Sequence, residues 1–114
     1  MNIFIWVLQG VLAGMFLMAA IGKLTGSSLH RGVFDHLRLP QWFRVVTGLV
    51  ELSGAVLLVL GYWNETYIGP GSLILGVTAF GGMLAHIRVK DGFKDTFMIV
   101  LLGILSFILL YLVR

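Results

Sequence analysis

The segment WFRVVTGLVELSGAVLLVL, residues 42–60, joins an apolar run long enough to cross a bilayer with one carboxylic acid near its centre, Glu51. A helix rises about 1.5 Å per residue, so about 20 apolar residues span a ~30 Å hydrocarbon core. A charge at the bilayer centre costs roughly 3 kcal/mol or more, and such residues usually face a protein interior. Glu51 therefore indicates a helix that is packed among other helices.

The composition of the whole chain points in the same direction. Of its 114 residues, 59% are hydrophobic and 11% are charged, whereas a soluble domain has about 25% charged residues. Apolar runs of sufficient length lie at about residues 3–22, 42–62, 68–87 and 96–113. Backbone groups in lipid must be satisfied internally, as they are in helices. We therefore predict one all-α domain over residues 1–114, an integral membrane four-helix bundle in contact with the lipid bilayer.

The basic residues are unevenly distributed between the connections. All of them except Arg114 lie in or beside loops 1 and 3: Lys23, Arg31, Arg38, Arg44, Arg88, Lys90 and Lys94. By the positive-inside rule, this predicts a multi-pass protein with loops 1 and 3 in the cytoplasm and both termini outside. The first span has no basic segment before it, so we expect it to be retained rather than cleaved as a signal peptide.

Loop 1 is the longest connection, and its pattern is that of a short amphipathic helix. Ser27 and Ser28 could cap a helix that runs through Leu37, and Leu29, Val33 and Leu37 recur every four residues. We predict a short cytoplasmic interfacial helix that stops before Pro40. A plain connecting loop is the alternative.

Small and polar residues mark the faces that should meet inside the bundle. The first three spans place the following polar residues on inward faces, with Arg88 at the end of the third: Gln9, Lys23, Arg44, Thr47, Glu51, Thr78 and His86. The fourth span is bulky and apolar and is expected to lie outermost. We predict a polar pocket that opens near the cytoplasmic interface, with Glu51 as its floor and Lys23 and His86 at its mouth.

Each of these residues also has a plainer interpretation. Lys23 and His86 lie roughly 13–16 Å from the bilayer centre, so Lys23 could be a snorkelling anchor and His86 could cap a helix end. Glu51 could serve only to hold helices together. Gln9, Thr47 and Thr78 fit hydrogen bonds between helices better than ligand contacts. Arg44 and Arg88 would support the pocket.

Several kinds of chemistry do not fit the sequence. There are no cysteines, and His30, His36 and His86 do not converge in sequence. A zinc site needs three or four ligands, so we expect no metal, and no haem because two spaced histidines within spans are absent. The basic loops fit anionic lipid better than nucleic acid, and no nucleic-acid partner is predicted.

Four short segments together resemble a known family. They are Gly22-Lys23-Leu24, Leu37-Arg38-Leu39-Pro40, Gly48 to Gly61 around Glu51, and Ala85-His86-Ile87-Arg88 with Asp91-Gly92. This pattern resembles the DoxX-like family of small four-helix membrane proteins. The resemblance implies the plasma membrane of a prokaryote, a link to quinone or redox metabolism, and Lys23, Glu51 and His86 as recurrent polar residues.

The favoured hypothesis is a quinone or another small apolar-aromatic molecule bound in the pocket. Lys23 and His86 would donate hydrogen bonds to it, and Glu51 would relay a proton. The chain carries no further redox domain, so we expect an accessory subunit of a quinone-linked oxidoreductase, with a redox enzyme as partner, rather than a stand-alone enzyme. No residue is assigned a catalytic role.

Two other hypotheses remain open. The first is an assembly or scaffold protein for a membrane complex. The second, a small proton-coupled multidrug transporter, fits less well because Glu51 lies in the second span and the charge bias fixes one topology. Gly10 and Gly14 form a GxxxG pair that could support a homo-oligomer or be used within the monomer.

Overall fold

The computed structural model describes residues 3–113, with the side chains of residues 93–95 excepted. Over that range the secondary structure is helical. Its elements are α1 (Ile3–Thr25), α2 (Ser28–His36), α3 (Gln41–Leu60), a single 3-10 turn (Glu65–Tyr67), α4 (Ile68–Arg88) and α5 (Phe93–Val113). Within the described residues, four helices are long and apolar enough to cross a membrane. The predicted membrane bundle with a short helix in loop 1 is confirmed.

The long helices form a ring around one apolar core. Helix α1 packs against α3, α3 against α4 and α4 against α5, and a smaller α1–α5 contact closes the ring. Buried residues such as Leu12, Phe16, Leu58, Leu75 and Leu109 form the core. The span at the C-terminal end buries 22% of its residues, against 33% for each of the others, in agreement with its bulky apolar composition. Outward-facing apolar side chains on all four helices contact lipid.

Helices α3 and α4 touch most closely where glycines face each other. A Cβ atom on Gly71 would lie 3.0 Å from the carbonyl oxygen of Gly54, and one on Gly54 would lie 2.6 Å from Leu75 Cδ2. Small residues allow this approach of two backbones in a membrane. The contact lies toward the 3-10 turn that joins the two helices. Their other ends are separated by a cavity.

We call the end of the bundle that carries Lys23, Arg44 and Arg88 the basic end. Three helices finish there with a residue of positive φ: Gly26 (φ 70°), Arg38 (φ 59°) and Lys90 (φ 63°). In each case a backbone amide just beyond the helix bonds back to a carbonyl five residues earlier, for example Asp91 to His86 at 3.0 Å. This left-handed ending reverses the chain, and after α4 it brings Asp91 back beside His86.

Two arginines close helix ends at the basic end. The Arg44 guanidinium donates to the carbonyl oxygen of Lys23 in the last turn of α1. The Arg88 guanidinium donates to the carbonyl oxygens of Leu37 and Arg38, just past α2. A cation is favourable at a helix C-terminus, where carbonyl groups lack helical partners. These contacts fix the end of α1 against α3 and hold α2 against α4.

The GxxxG pair of α1 does not form one helix–helix contact. A Cβ on Gly10 would lie 2.8 Å from the Tyr62 hydroxyl, whereas Gly14 has no atom within 4 Å of that position. Tyr62 reaches α1 because its hydroxyl donates to the carbonyl oxygen of Trp6 at 2.7 Å. Gly10 is therefore used within the monomer, and a homo-oligomer through this face stays a prediction.

The close α3–α4 contact can be tested with matched leucine substitutions. We expect Gly71→Leu to lower the free energy of unfolding by about 1–3 kcal/mol, because the new side chain has to displace the Gly54 backbone. Gly14→Leu, at an exposed position with no atom within 4 Å, should leave stability unchanged or raise it by up to about 1 kcal/mol through helix propensity. Unfolding by SDS titration in mixed micelles measures both. Equal behaviour of the two variants would contradict the proposed contact.

Candidate functional site

A cavity of about 330 Å³ lies between α3 and α4 in the half of the bundle nearer the basic end. Its polar members are the predicted residues Lys23, Thr47, Glu51, Thr78 and His86. The rest of the wall is apolar or small: Val33, Phe34, Leu37, Leu39, Phe43, Val46, Val50, Gly81, Gly82, Ala85 and Ile99. An apolar wall with a few converging polar groups is the usual character of a small-molecule site.

Lys23 and Glu51 form a buried ion pair in the wall of this cavity. Lys23 Nζ lies 2.8 Å from Glu51 Oε1, and the two side chains are 14% and 3% exposed. Beyond this ion pair, Oε1 of Glu51 has no hydrogen-bond partner among the described residues. A carboxylate oxygen can accept more than one hydrogen bond. Glu51 therefore retains acceptor capacity for a donor inside the cavity.

Gly48 explains how Lys23 reaches Glu51 from the end of α1. A Cβ on Gly48 would lie 3.1 Å from Lys23 Cβ, so the absent side chain lets the end of α1 lie directly against α3. Gly48 is one turn from Glu51, and the lysine stem covers the remaining distance. The depth estimate from sequence left this contact open. In the structure Lys23 points to Glu51 rather than to the membrane surface.

His86 belongs to a second polar cluster, which connects the cavity to the surface. Its Nδ1 lies 2.6 Å from Asp91 Oδ2, and the other carboxylate oxygen, Oδ1, lies 2.6 Å from Nε2 of His36. The His36 side chain is 59% exposed, whereas those of His86 and Asp91 are 17% and 9% exposed. Hydrogen bonds from His36 and then His86 hold the pKa of Asp91 below its ordinary value. With Nδ1 occupied, Nε2 is the ring nitrogen of His86 left for a ligand.

Gln9 lies outside the cavity, although it is fully buried. Its Nε2 donates to the carbonyl oxygen of Leu58 at 2.6 Å. That oxygen lacks its usual helical partner because the Tyr62 amide bonds to Val59 instead, at 3.2 Å. Gln9 thus forms the hydrogen bond between helices that the sequence suggested. It does not belong with the ligand-facing residues.

Thr47 and Thr78 correct one expectation. Both were expected to bond between helices, but each hydroxyl donates to the carbonyl four residues earlier in its own helix, Phe43 at 2.9 Å and Ile74 at 2.8 Å. Threonine in a helix satisfies its donor in this way when no partner lies opposite, and here a cavity lies opposite. Their oxygens can still accept a hydrogen bond.

Apolar side chains also lie at the predicted mouth of the pocket. At the basic end, where the opening is expected, Phe34 of α2 and Leu37, the residue after α2, are 4% exposed and line the cavity. Arg44 and Arg88 do not line it. They act at the helix ends described above.

Asp91 and His36 were missed as site residues. A signal for Asp91 was available, since it follows His86 by five residues in one of the two most specific segments that resemble a known family. Asp91 contacts His86 only because the chain makes a left-handed turn at Lys90, and the sequence pattern does not reveal this turn. In the described part of the chain, no group of three or more histidine, aspartate or glutamate side chains is arranged to hold a metal.

Comparison with known proteins gives a family and one curated relative. Residues 7–109, most of the chain, match the DoxX-like family. The chain is 34% identical over 76 residues to the uncharacterized protein YdgD of Bacillus subtilis (strain 168), and the match spans 66% of this chain and 66% of that protein, just under two thirds. No solved structure matches the chain.

The ion pair predicts a coupled response to substitution. We expect Lys23→Met to cost about 3–5 kcal/mol of stability, because it leaves Glu51 buried without its counter-charge. The double variant Lys23→Met/Glu51→Gln should be more stable than Lys23→Met alone. SDS titration measures these two variants and the single variant Glu51→Gln. The exposed pair Lys90→Met and Glu65→Gln serves as the control, with changes within about 0.5 kcal/mol. A double variant as unstable as the sum of its single variants would refute the pair.

The Asp91 cluster predicts a specific pH dependence. Because the folded pKa of Asp91 lies below its ordinary value of 3.8, the unfolded chain binds this proton more readily. The contribution of Asp91 to stability is then complete above that ordinary value and is lost as the pH falls through the lowered folded pKa. Asp91→Asn should flatten the fall in melting temperature over this acidic range. Asp35→Asn, at an exposed position in α2, should follow the wild type; a fall that persists in Asp91→Asn would argue against the cluster.

Proposed function

The chain belongs to the DoxX-like family, and from that membership and the cavity we propose that it binds a quinone or a similar small apolar-aromatic molecule within the membrane. In this proposal it acts as an accessory subunit of an oxidoreductase. One observation carries the proposal: a buried ion pair and a histidine converge on the wall of a mostly apolar cavity. The basic end faces the cytoplasm of a prokaryote, by the positive-inside rule.

The size of the cavity supports a ligand with a small ring system. Ligand sites commonly measure about 300–1,000 Å³, and this cavity, at about 330 Å³, lies at the small end of that range. Its apolar walls suit the faces of a ring, and hydrophobic burial supplies most of the affinity. A single polar head with one or two rings is the ligand class that these dimensions favour.

The polar groups divide into donors and acceptors for such a ring. The Lys23 ammonium has donors beyond the one directed at Glu51, and His86 Nε2 can donate or accept according to its tautomer. Glu51 can accept from a hydroxyl group. A carbonyl-bearing oxidised form and a hydroxyl-bearing reduced form would therefore both find partners. The two forms differ by two electrons and two protons, and Glu51 and His86 would exchange protons with the ring.

The electrons in this proposal come from a partner redox enzyme. The sequence has no cysteine, so the chain does not bring the ligands of a cysteine-bound redox centre. Its own residues would bind and orient the ring, exclude water and exchange protons.

An assembly function is the second candidate, and a specific observation favours it. The Lys23–Glu51 ion pair and the Arg44 bond to Lys23 join α1 directly to α3. If these contacts only hold helices together, Glu51→Gln should change stability or the recovery of partner proteins and leave ligand binding untouched.

A matched pair of glutamate variants tests the proposed function. We expect purified wild-type protein in lipid nanodiscs to bind 2-methyl-1,4-naphthoquinone. Glu51→Gln should weaken binding about tenfold or more, since a hydrogen bond to a charged group contributes about 1.5–3 kcal/mol. Glu65→Gln, the same change at an exposed position far from the cavity, should bind as the wild type does.

The readouts are calorimetric titration and mass spectrometry of the lipids that copurify. Wild-type protein that carries no quinone-like molecule and shows no binding on titration would refute the proposed function. Equal affinities of the two glutamate variants would remove Glu51 from the site. Substrate-driven proton flux in liposomes that Glu51→Gln abolishes would instead favour a transporter.

A further inference from the structure

We propose that the cavity opens sideways into the lipid between α3 and α4, and that the site therefore takes a molecule with a polar head and a hydrocarbon tail. The head would lie against Lys23 and Glu51, and the tail would pass between the two helices into the bilayer. The inference rests on the proposed function and specifies the class of ligand that the same site would select.

The basic end of the cavity is closed to water. Phe34 of α2 and Leu37, the residue after α2, lie across it, both nearly fully buried. Helix α2 is held in place from the side of α4, since Arg88 donates to the Leu37 carbonyl oxygen and His36 bonds to Asp91. A ligand that entered from the aqueous phase would have to displace this apolar cover.

Along the gap between α3 and α4, in contrast, residues that line the cavity are exposed on the outer surface of the bundle. Phe43, Val46 and Val50 line the cavity, yet they are 39%, 41% and 40% exposed. Residues that belong both to a cavity wall and to the outer surface mark its rim, and these three share one face of α3 by their spacing. On α4, Gly81 lines the cavity and is also exposed.

The gap exists because side chains are missing on one side of it. Helices α3 and α4 touch at Gly54 and Gly71 and diverge from there toward the basic end. On the diverging part, α4 presents Gly81, Gly82 and Ala85 to the cavity. A Cβ on Gly81 would meet no atom within 4 Å, so no neighbour occupies this side of the gap.

The depth of the opening determines which phase it meets. Val46 and Val50 are five and nine residues from the start of α3 at Gln41, or roughly 8–14 Å along the helix. That depth corresponds to acyl chains rather than to head groups in a ~30 Å core. The Lys23–Glu51 pair lies at the inner side of the cavity. A bound amphiphile would therefore point its head inward and its tail into lipid.

Blocking the gap tests this arrangement. The probes are 2-methyl-1,4-naphthoquinone with and without an isoprenoid chain at carbon 3, titrated into wild-type protein in nanodiscs. We expect the tailed probe to bind at least about tenfold more tightly at equal concentration in the lipid, which corresponds to about 1.4 kcal/mol of contact between its tail and the walls of the gap. Gly81→Phe should abolish this preference, because it weakens binding of the tailed probe more than binding of the short one. Gly14→Phe, also at an open position on a lipid-facing surface, should keep the preference.

The outcomes separate the two proposals. An undiminished tail preference in Gly81→Phe, or no preference in the wild type, overturns the lateral opening and leaves the quinone site standing. Failure of both probes to bind the wild type overturns the proposed function. Melting temperatures of both phenylalanine variants confirm that they are folded.

A measurement without ligand completes the test. Because the chain has no cysteine, a spin label can be attached to a single Val50→Cys, with Val77→Cys as the lipid-facing reference and Arg38→Cys as the aqueous one. We expect collisions with oxygen to exceed those with a water-soluble nickel complex at Val50, as at Val77. Nickel accessibility like that of Arg38 would overturn the lateral opening whatever the ligand.

Discussion

The rest of the structure depends on how one buried carboxylate finds its counter-charge. Glu51 is 3% exposed within a membrane-spanning helix, and its ionic partner is Lys23 at 2.8 Å. In a medium of low dielectric an isolated charge is very costly, and a pair is tolerated only with close geometry. Gly48 removes the side chain that would keep the end of α1 away from α3, and Arg44 holds the last turn of α1 in place. Gly48 and Arg44 thus both help to bring Lys23 next to Glu51.

The cavity follows from the way the helices satisfy this constraint. Around Gly54 and Gly71, α3 and α4 pack backbone to backbone, so there is no room for a ligand. Toward the basic end, α3 contacts α1 through the ion pair, while α4 presents glycine and alanine and leaves the space open. A second space of about 300 Å³ between α4 and α5 has only apolar and glycine residues in its wall. It offers no group to orient a polar head, so the ion pair distinguishes the first cavity as a candidate site.

Local patterns predicted the helices and the inward faces, because hydropathy and the 3.6-residue period depend on nearby residues alone. Contacts that depend on how the helices are placed relative to one another cannot be predicted from local patterns. The Lys23–Glu51 distance depends on the approach that Gly48 permits, and the cover formed by α2 depends on Arg88. Asp91 meets His86 only because the chain turns back at Lys90, a residue with φ 63°. The hydrogen-bond partners of Thr47 and Thr78 could not be predicted, because the helical period shows only which face of a helix a residue occupies. It does not show whether another helix or a cavity lies opposite that face.

The Lys23–Glu51 ion pair and His86 differ in whether hydrogen bonds connect them to the protein surface. Lys23 and Glu51 are enclosed by protein, whereas His86 continues through Asp91 to His36, whose side chain is exposed at the basic end. Carboxylate–histidine contacts of this kind fix the orientation of the ring and which of its nitrogens faces the carboxylate. In the proposed function a lipid-soluble molecule would reach the cavity between α3 and α4, while protons would reach it along this hydrogen-bonded chain. Separate routes for ligand and proton are what an intramembrane redox site requires, because hydrocarbon admits the ring and excludes the ion.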